Sequence, residues 1–457
     1  MDYFPRHGLK RRLLTGFGAN MYGQAVTFII QLASVPLFLH FWGIEKYGEW
    51  LILSAVPSYL SMSDLGFASV AGNEMAMATS SQDQERALGV FQSTWVMITV
   101  VSAAFVVVII PVVYLVPFGN LLNVHAASPH EVRVVLLLLS AYVLLGLQGG
   151  MLSQGFRAIG KYGKGTAWGN SSRLFEWIIA MAALSLGYGM AGVAAGFIIG
   201  RVIFYILWWY SLHRDAAWLQ FGFRFAHVAI IRRLLRPSIA FMSFPLGLAL
   251  GIQGIVLIIG VVLGPAAVAI FSVYRTLTRA VVQVVTATNQ AFWPELSAAM
   301  GKGDVGLARK LYLESSRVSL WLGLIGVVAI GFGGGNILAF WTHKAIGSDP
   351  MLLWLLLCSA LEQITWQSSW ITLMSVNKHQ RFSISFLAFR GIGVILAWVL
   401  AIEFQIYGVV ISLIAIDFPL LYDATNQALK LTGETWQSYL QNFLKSPWIT
   451  LKRVSRA

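Results

Sequence analysis

The chain has 457 residues, of which 57% are apolar and 11% charged, with a mean hydropathy of +0.71. A soluble globular domain carries about 25% charged residues because its surface must face water, so a soluble globular fold is excluded and lipid replaces most of the solvent. The formal net charge of +13 would suit nucleic acid if it covered a soluble surface, but its placement along the chain argues otherwise. The single cysteine, Cys358, excludes an intramolecular disulfide. Met1 to Arg12 is basic, yet the apolar run behind it is long and lacks a small-residue cleavage pattern. The first span is therefore expected to act as its own insertion signal.

A bilayer crossing needs about 20 mostly apolar residues. Such runs occur near 15–42, 48–72, 90–117, 133–153, 166–187 and 190–212. After a basic stretch they resume near 237–262, 266–293, 317–341, 350–375, 382–402 and 406–428. These runs predict an all-α polytopic membrane protein of about twelve transmembrane helices. Its expected parts are a six-helix lobe at 1–212, a basic amphipathic linker at 213–236, a second six-helix lobe at 237–428 and an amphipathic tail at 429–457.

With the N-terminus in the cytoplasm, 24 Lys and Arg fall on the cytoplasmic side and three outside, Lys46, Arg133 and Lys344. That bias satisfies the positive-inside rule and predicts both termini on the cytoplasmic face of a bacterial inner membrane. The charge thus forms a fringe facing anionic lipid, and no nucleic-acid partner is expected. The linker mixes Trp218, Phe221, Phe223 and Phe225 with Arg214, Arg224, Arg232, Arg233 and Arg236, a composition suited to the headgroup layer. In the tail, Trp436, Leu440 and Phe443 share one helical face.

Weak internal matches point to a duplication. At one constant offset, FWGIEKYGEW aligns with VLGPAAVAIF, pairing Gly43 with Gly264, Gly48 with Ala269 and Trp50 with Phe271. Glu74 falls opposite Glu295 at that same offset, and YGMAGVAAGFIIGR aligns with EFQIYGVVISLIAID through Gly192 and Gly408. Six spans is an even number, so both halves enter from the same side. The repeats are expected to be parallel, related by a pseudo-two-fold axis along the membrane normal, with a cleft between them. Gly192, Gly196 and Gly200, and likewise Gly247 and Gly251, recur every four positions, a spacing that lets helices approach closely.

Three segments carry a family resemblance: Leu14 to Gly48 with its aromatic-glycine exit, SMSDLGFASVAGNE at 61–74, and NQAFWPELSAAMGKGD at 289–304 followed by Arg309 and Lys310. Across essentially the whole chain, the sequence resembles the polysaccharide-exporter branch of the multidrug/oligosaccharidyl-lipid/polysaccharide superfamily, which includes O-antigen (Wzx-type) flippases. The resemblance implies twelve helices in two lobes around a central cavity and the export of lipid-linked oligosaccharide. It also implies glycan polymerase and glycosyltransferase partners and no enzymatic activity of its own.

Ionisable residues at membrane depth are costly and are functional candidates by default. They are Asp64, Arg173, Glu176, Arg201, Arg275, Arg279, Glu362, Arg390 and Asp417. All five cations are arginine, which stays charged and grips phosphate oxygens through a bidentate fork. Arg275 and Arg279 share a helix face. Together with Arg390, Arg201 and Arg173 they form the candidate substrate-binding set, suited to a diphosphate linker. Asp417, Glu362 and Asp64 are the candidates for gating or coupling. Competing structural roles stand beside these: Arg173 pairing with Glu176, and Arg201 and Asp417 either meeting as a gate or each satisfying a neighbour. Glu362 lies near Gln363 and Gln367, where it would contact sugar hydroxyls or carry a coupling proton. Asn20, Gln24, Gln31, Asn289 and Gln290 are further candidates for polar lining. GFGGG at 331–335 has no strand before it and is no phosphate loop. No metal-ligand cluster and no cofactor motif is present in the sequence.

The expected function is translocation of an undecaprenyl-diphosphate-linked oligosaccharide to the outer leaflet by alternating access. Rival readings are the longer lipid II flippase type, which would need fourteen spans where this chain has room for about twelve, a drug/cation antiporter of the same superfamily, which calls for an acidic cavity, and a membrane glycan polymerase or ligase. The last of these calls for a large external loop, whereas 118–132 is short and offers only His125, His130 and Glu131.

Overall fold

The computed structural model describes residues 9–64, 67–376 and 378–445 (side chains at 9–14, 62–64, 67, 69 and 235–241 excepted). All regular elements among them are helical. The chain divides into two compact units, residues 1–245 and 246–457.

The first unit opens with α1 (Leu9–Ser58), which contains two predicted crossings bent apart at Gly43, φ 71° and ψ −177°. A residue with a Cβ is essentially barred from that conformation. After Pro57 the helix passes into a tight 3₁₀ turn, Tyr59–Asp64, and α2 spans Phe67–Ser80. The second predicted span, drawn through to residue 72, is thus broken near its end. There follow α3 (Gln84–Leu115), the short α4 (Phe118–Leu121), α5 (Pro129–Ala158), α6 (Tyr162–Ser185), α7 (Met190–Asp215) and the basic α8 (Val228–Phe241).

The second unit begins within α9 (Ser243–Ala249) and continues through a π-helical turn (Leu250–Gly254), α10 (Ile255–Leu263), α11 (Pro265–Gly301), α12 (Val305–Trp341), α13 (Pro350–Ser375), α14 (Gln380–Thr432) and α15 (Trp436–Phe443). The seventh crossing starts at Ser243, later than the sequence suggested, because α8 takes up the amphipathic residues before it. Like α1, α14 holds two crossings, bent at Gln405 with φ 53°.

Among the described residues, eight helices are long and apolar enough to cross a membrane by length and composition. Dividing α1 and α14 at their bends adds two crossings. The remaining two are α6, 24 residues, and α13, 26 residues, whose length of about 36–39 Å at 1.5 Å per residue exceeds a hydrocarbon core of about 30 Å. They fall short only in apolarity, because α6 carries Asn170 to Arg173 and Glu176, and α13 carries Glu362, Gln363 and Gln367. These polar residues include candidates for function.

The repeat shows in the backbone more clearly than in the side chains. Gly264, the sequence counterpart of Gly43, adopts the same conformation with φ 90° and ψ 174°. Asp83 caps α3 by accepting the Arg86 N–H at 2.9 Å, and its counterpart at the same offset, Asp304, caps α12 by accepting the Leu307 N–H at 2.9 Å. Ser128 and Asp349, again at that offset, cap α5 and α13, each followed by proline in the first helical turn. Such caps contribute about 1 kcal/mol each, which explains why they persist where the apolar sequence has drifted.

The small-residue spacing acts within each unit. A Cβ on Gly196 or Gly200 would stand 3.0 and 2.8 Å from the α6 backbone at Ala180 and Glu176, and one on Gly247 would stand 2.6 Å from the Phe386 ring of α14. Gly192 meets only Tyr188 of its own turn.

Each unit also ends in a return segment seated on its third crossing. Ala216, Leu219 and Leu234 are buried, and the Phe221 ring lies 5.1 Å from Phe91. The Gln92 amide donates to the Gln220 carbonyl at 3.1 Å and accepts the Phe225 N–H at 2.8 Å. The expectation was an amphipathic linker of a composition suited to the headgroup layer. Part of its apolar side packs on protein, and Phe223 and Val228 stay exposed. In the second unit Tyr439 of α15 stacks on Tyr312 at 5.7 Å, and Tyr312 is the counterpart of Phe91 in the repeat.

Replacing Gly43 or Gly264 by alanine should cost about 1–3 kcal/mol through backbone strain alone, since a Cβ at either position meets nothing within 4 Å. Thermal unfolding of the detergent-solubilised variants should show lowered midpoints, whereas Gly18→Ala, a helical glycine with equally open space around it, should not.

Candidate functional site

A charge placed among apolar helices has to be matched, and the structure shows how in each unit. In the first, Arg201 of α7 donates through Nη2 to Glu176 Oε2 of α6 at 2.7 Å. Its guanidinium lies 3.5 Å from the centre of the Tyr142 ring and also donates to the Tyr142 carbonyl. Glu176 takes two further hydrogen bonds, from the Tyr142 hydroxyl at 2.8 Å and from the Ser172 hydroxyl. Gly200 makes this possible by bringing α7 against the Glu176 backbone. The pair is enclosed by its own unit.

In the second unit the corresponding pair has the opposite polarity. Arg390, in the first arm of α14, donates through Nη2 to Asp417 Oδ1 in the second arm at 2.6 Å. Both are buried, with side chains 9% and 4% exposed, and Gly393 admits Ile416 beside them. This pair opens onto a cavity of about 100 Å³ lined by the π turn, α11, α13 and α14. Arg275 and Arg279 of α11 reach the same cavity from one face, about 6 Å apart along the helix axis. Neither has a carboxylate within salt-bridge distance among the described residues. Arg275 lies 5.1 Å from the Phe271 ring and reaches the Ile252 carbonyl of the π turn at 3.4 Å. Gly251 in that turn leaves room for Arg390, whose Cδ would stand 3.0 Å from a Cβ there. The Arg390 Nε is buried with no hydrogen-bond partner. Three guanidinium groups against one carboxylate suit an anion, and the volume suits a compact one. Sites for drug-sized ligands run to about 300–1,000 Å³.

Of the candidates named from sequence, Arg275, Arg279, Arg390 and Asp417 therefore come together, joined by Gln363 and Ser359. Glu362 is on the same helix as Gln363, half-buried, with Oε2 lacking a hydrogen-bond partner. Arg201 is engaged elsewhere, in the first unit. Arg173 is exposed, and its expected partner Glu176 belongs to Arg201, because a residue on the facing helix met the carboxylate where Gly200 let the backbones close. Arg201 and Asp417 each hold a neighbour within their own unit. Asp64 has its side chain outside the described residues. Asn289 is no lining residue: it is buried, its Oδ1 accepting hydrogen bonds from Ser319 at 3.0 Å and Ser368 at 3.1 Å, which ties α11, α12 and α13 together.

Sequence reasoning also missed Glu49. It is 1% exposed, and its carboxylate accepts the successive backbone N–H groups of His125, Ala126 and Ala127. The acid inside the aromatic run KYGEW was the available signal. Glu131 is likewise structural, accepting the Met190 N–H at 3.1 Å at the start of α7.

No protein-family profile matches the chain, and no curated protein sequence matches it. Solved structures do match. An inward-facing multidrug resistance MATE family transporter of the MOP superfamily is 13% identical with a TM-score of 0.67, covering 90% of this chain and 99% of that one. The lipid II flippase MurJ in an inward closed conformation is 12% identical with a TM-score of 0.71, covering 94% and 90%. The chain shares its fold with these two structures over nearly its whole length. A third structure with this fold, a MOP superfamily transporter from Pyrococcus furiosus described as having a binding pocket of reverse polarity, is 13% identical with a TM-score of 0.56, covering 93% and 97%. Those proteins are described as transporters and a flippase, and what this chain shares with them is the fold, that of a multi-pass membrane protein.

Removing one member of a buried pair strands the other charge and costs about 3–5 kcal/mol. Arg201→Met and Glu176→Gln should each lower the thermal midpoint sharply, while the double variant should recover most of the loss. A double variant as unstable as the sum of the singles would show that the two residues do not act as a pair.

Proposed function

We propose that the protein is a flippase that carries an undecaprenyl-diphosphate-linked oligosaccharide, an O-antigen or exopolysaccharide repeat unit, from the cytoplasmic to the outer leaflet of a bacterial inner membrane by alternating access. The observation that carries this reading is the cavity of the second unit, where Arg275 and Arg279 have no carboxylate of their own among the described residues and Arg390 has one. A diphosphate supplies the missing negative charge and accepts bidentate hydrogen bonds from guanidinium groups. With about 100 Å³ available, the cavity takes the phosphate part only. Sugar and lipid tail must lie outside it.

The arrangement also bears on the energy source. Moving one negative charge outward against an inside-negative potential of 100 mV releases about 2.3 kcal/mol, so an anionic substrate is driven by the potential itself. Glu362 and Asp417 are the candidates for any added proton or sodium coupling. Glycosyltransferases would supply the substrate and a polymerase would consume it.

The competing reading is a drug/cation antiporter, which the MATE neighbours support as far as fold goes. A cationic substrate favours a site rich in carboxylates, and here arginines outnumber the carboxylate three to one. In cells that depend on this protein for surface glycan, the Arg275→Ala/Arg279→Ala variant should abolish most surface glycan at an unchanged membrane level of protein. Full export by that variant would refute the phosphate site.

A further inference from the structure

The first unit holds a second and larger cavity that the proposed function does not use. It measures about 720 Å³ and lies where the start of α1 meets the turn between α5 and α6. That volume falls within the range of about 300–1,000 Å³ typical of small-molecule sites. The local sequence, GKYGKG at 160–165, explains how it forms. Gly160 turns the chain with φ 72°. Gly163 sets its bare Cα against the α1 backbone, where a Cβ would stand 2.7 Å from the Thr15 carbonyl oxygen. This contact pins α6 to α1 at one point. The space beside it stays open, and a Cβ on Gly18 meets nothing within 4 Å.

The lining has two characters. Ala19, Ala167, Tyr22 and Tyr162 give an apolar, aromatic wall, and Lys161 and Lys164 border it, with their ammonium groups held at Asp215 beside the cavity. Both lysines share one carboxylate, that of Asp215, at 3.2 and 2.7 Å. One acid cannot neutralise two cations. With the lysine side chains 46% and 43% exposed, such pairs contribute only about 0–1 kcal/mol, and an entering anion competes with Asp215 on favourable terms. An apolar aromatic wall beneath a surplus positive charge matches an amphiphile with an anionic head. The α5–α6 turn lies on the side to which the positive-inside rule assigns the cytoplasmic leaflet.

We infer that this cavity binds an anionic lipid by its phosphate, with Lys161 and Lys164 on the phosphate oxygens and the first carbons of the lipid against Tyr22, Tyr162 and Ala19. The site is independent of the arginine-lined cavity and does not require the flippase reading.

Native mass spectrometry of the purified full-length protein tests it with four probes: phosphatidylglycerol, undecaprenyl phosphate, uncharged diacylglycerol and inorganic phosphate as competitor. The wild-type protein should retain the two anionic lipids and not diacylglycerol. Each lysine beside an anionic lipid contributes about 1 kcal/mol, so Lys161→Gln/Lys164→Gln should weaken retention about 30-fold. Because those changes leave Asp215 unpaired, Lys161→Gln/Lys164→Gln/Asp215→Asn should show the same loss with an unaltered thermal midpoint. Gly18→Leu, which fills the open space, should lose the lipid as well. Retention of undecaprenyl phosphate about ten times stronger than of phosphatidylglycerol, a difference of about 1.4 kcal/mol, would identify the occupant as a carrier lipid, and equal retention would identify it as a membrane phospholipid. Wild-type lipid retention by the lysine variants or by Gly18→Leu would overturn the inference, as would full displacement of lipid by millimolar inorganic phosphate.

Discussion

The cost of an unmatched charge among apolar helices governs this structure. At the centre of a bilayer that cost is at least about 2.5–3.5 kcal/mol, and removing one partner of a buried pair costs about as much or more. The chain meets it in one way in each unit. Arg201 is matched by Glu176 in the first, and Arg390 by Asp417 in the second. Where a match is withheld, at Arg275 and Arg279, the charge faces a cavity. Under the proposed function an entering anion makes up the deficit, and this links the packing to transport.

The two halves share a backbone more than a chemistry. Bends at Gly43 and Gly264, caps at Asp83 and Asp304, and caps at Ser128 and Asp349 all repeat at one spacing. On that common frame the buried pair is inverted. The acid precedes the arginine in the first unit and follows it in the second, and in each unit a close-packed glycine, Gly200 or Gly393, accompanies the arginine. One half thus closes its pair within a shell of Tyr142 and Ser172, while the other opens it to a cavity beside a π-helical turn, a feature often found at functional sites. The duplication accounts for the scaffold, and the divergence accounts for the site.

Much of this was legible in the sequence, for definable reasons. Apolar run length is a local quantity, so the crossings emerged directly, and glycine at a positive-φ bend left a mark that aligned Gly43 with Gly264. The cluster that lines the second unit's cavity was partly legible: Arg275, Arg279, Arg390 and Asp417 stood out because ionisable groups are so costly in lipid. Pairing was not legible. Arg173 is nearer Glu176 in sequence, but Arg201 is nearer in space, because helix contacts are set by which backbones can approach. Glu49 was passed over because it sits at the edge of a crossing, where an acid is cheap, and its role depends on three loop amides that come from elsewhere in the chain. The packing of the linker on α3 was not legible for a related reason. An amphipathic face can be covered by lipid or by protein, and composition alone does not say which.

The most direct test is the sign of the charge that the second unit's cavity accepts. Calorimetric titration of the purified protein with a soluble short-chain polyprenyl diphosphate, and separately with the lipophilic cation tetraphenylphosphonium, measures it. The diphosphate should bind, its binding should be lost in Arg275→Ala/Arg279→Ala, and the cation should not bind. Binding of the cation, with diphosphate affinity absent or indifferent to the two arginines, would contradict the assignment of the cavity to an anionic substrate.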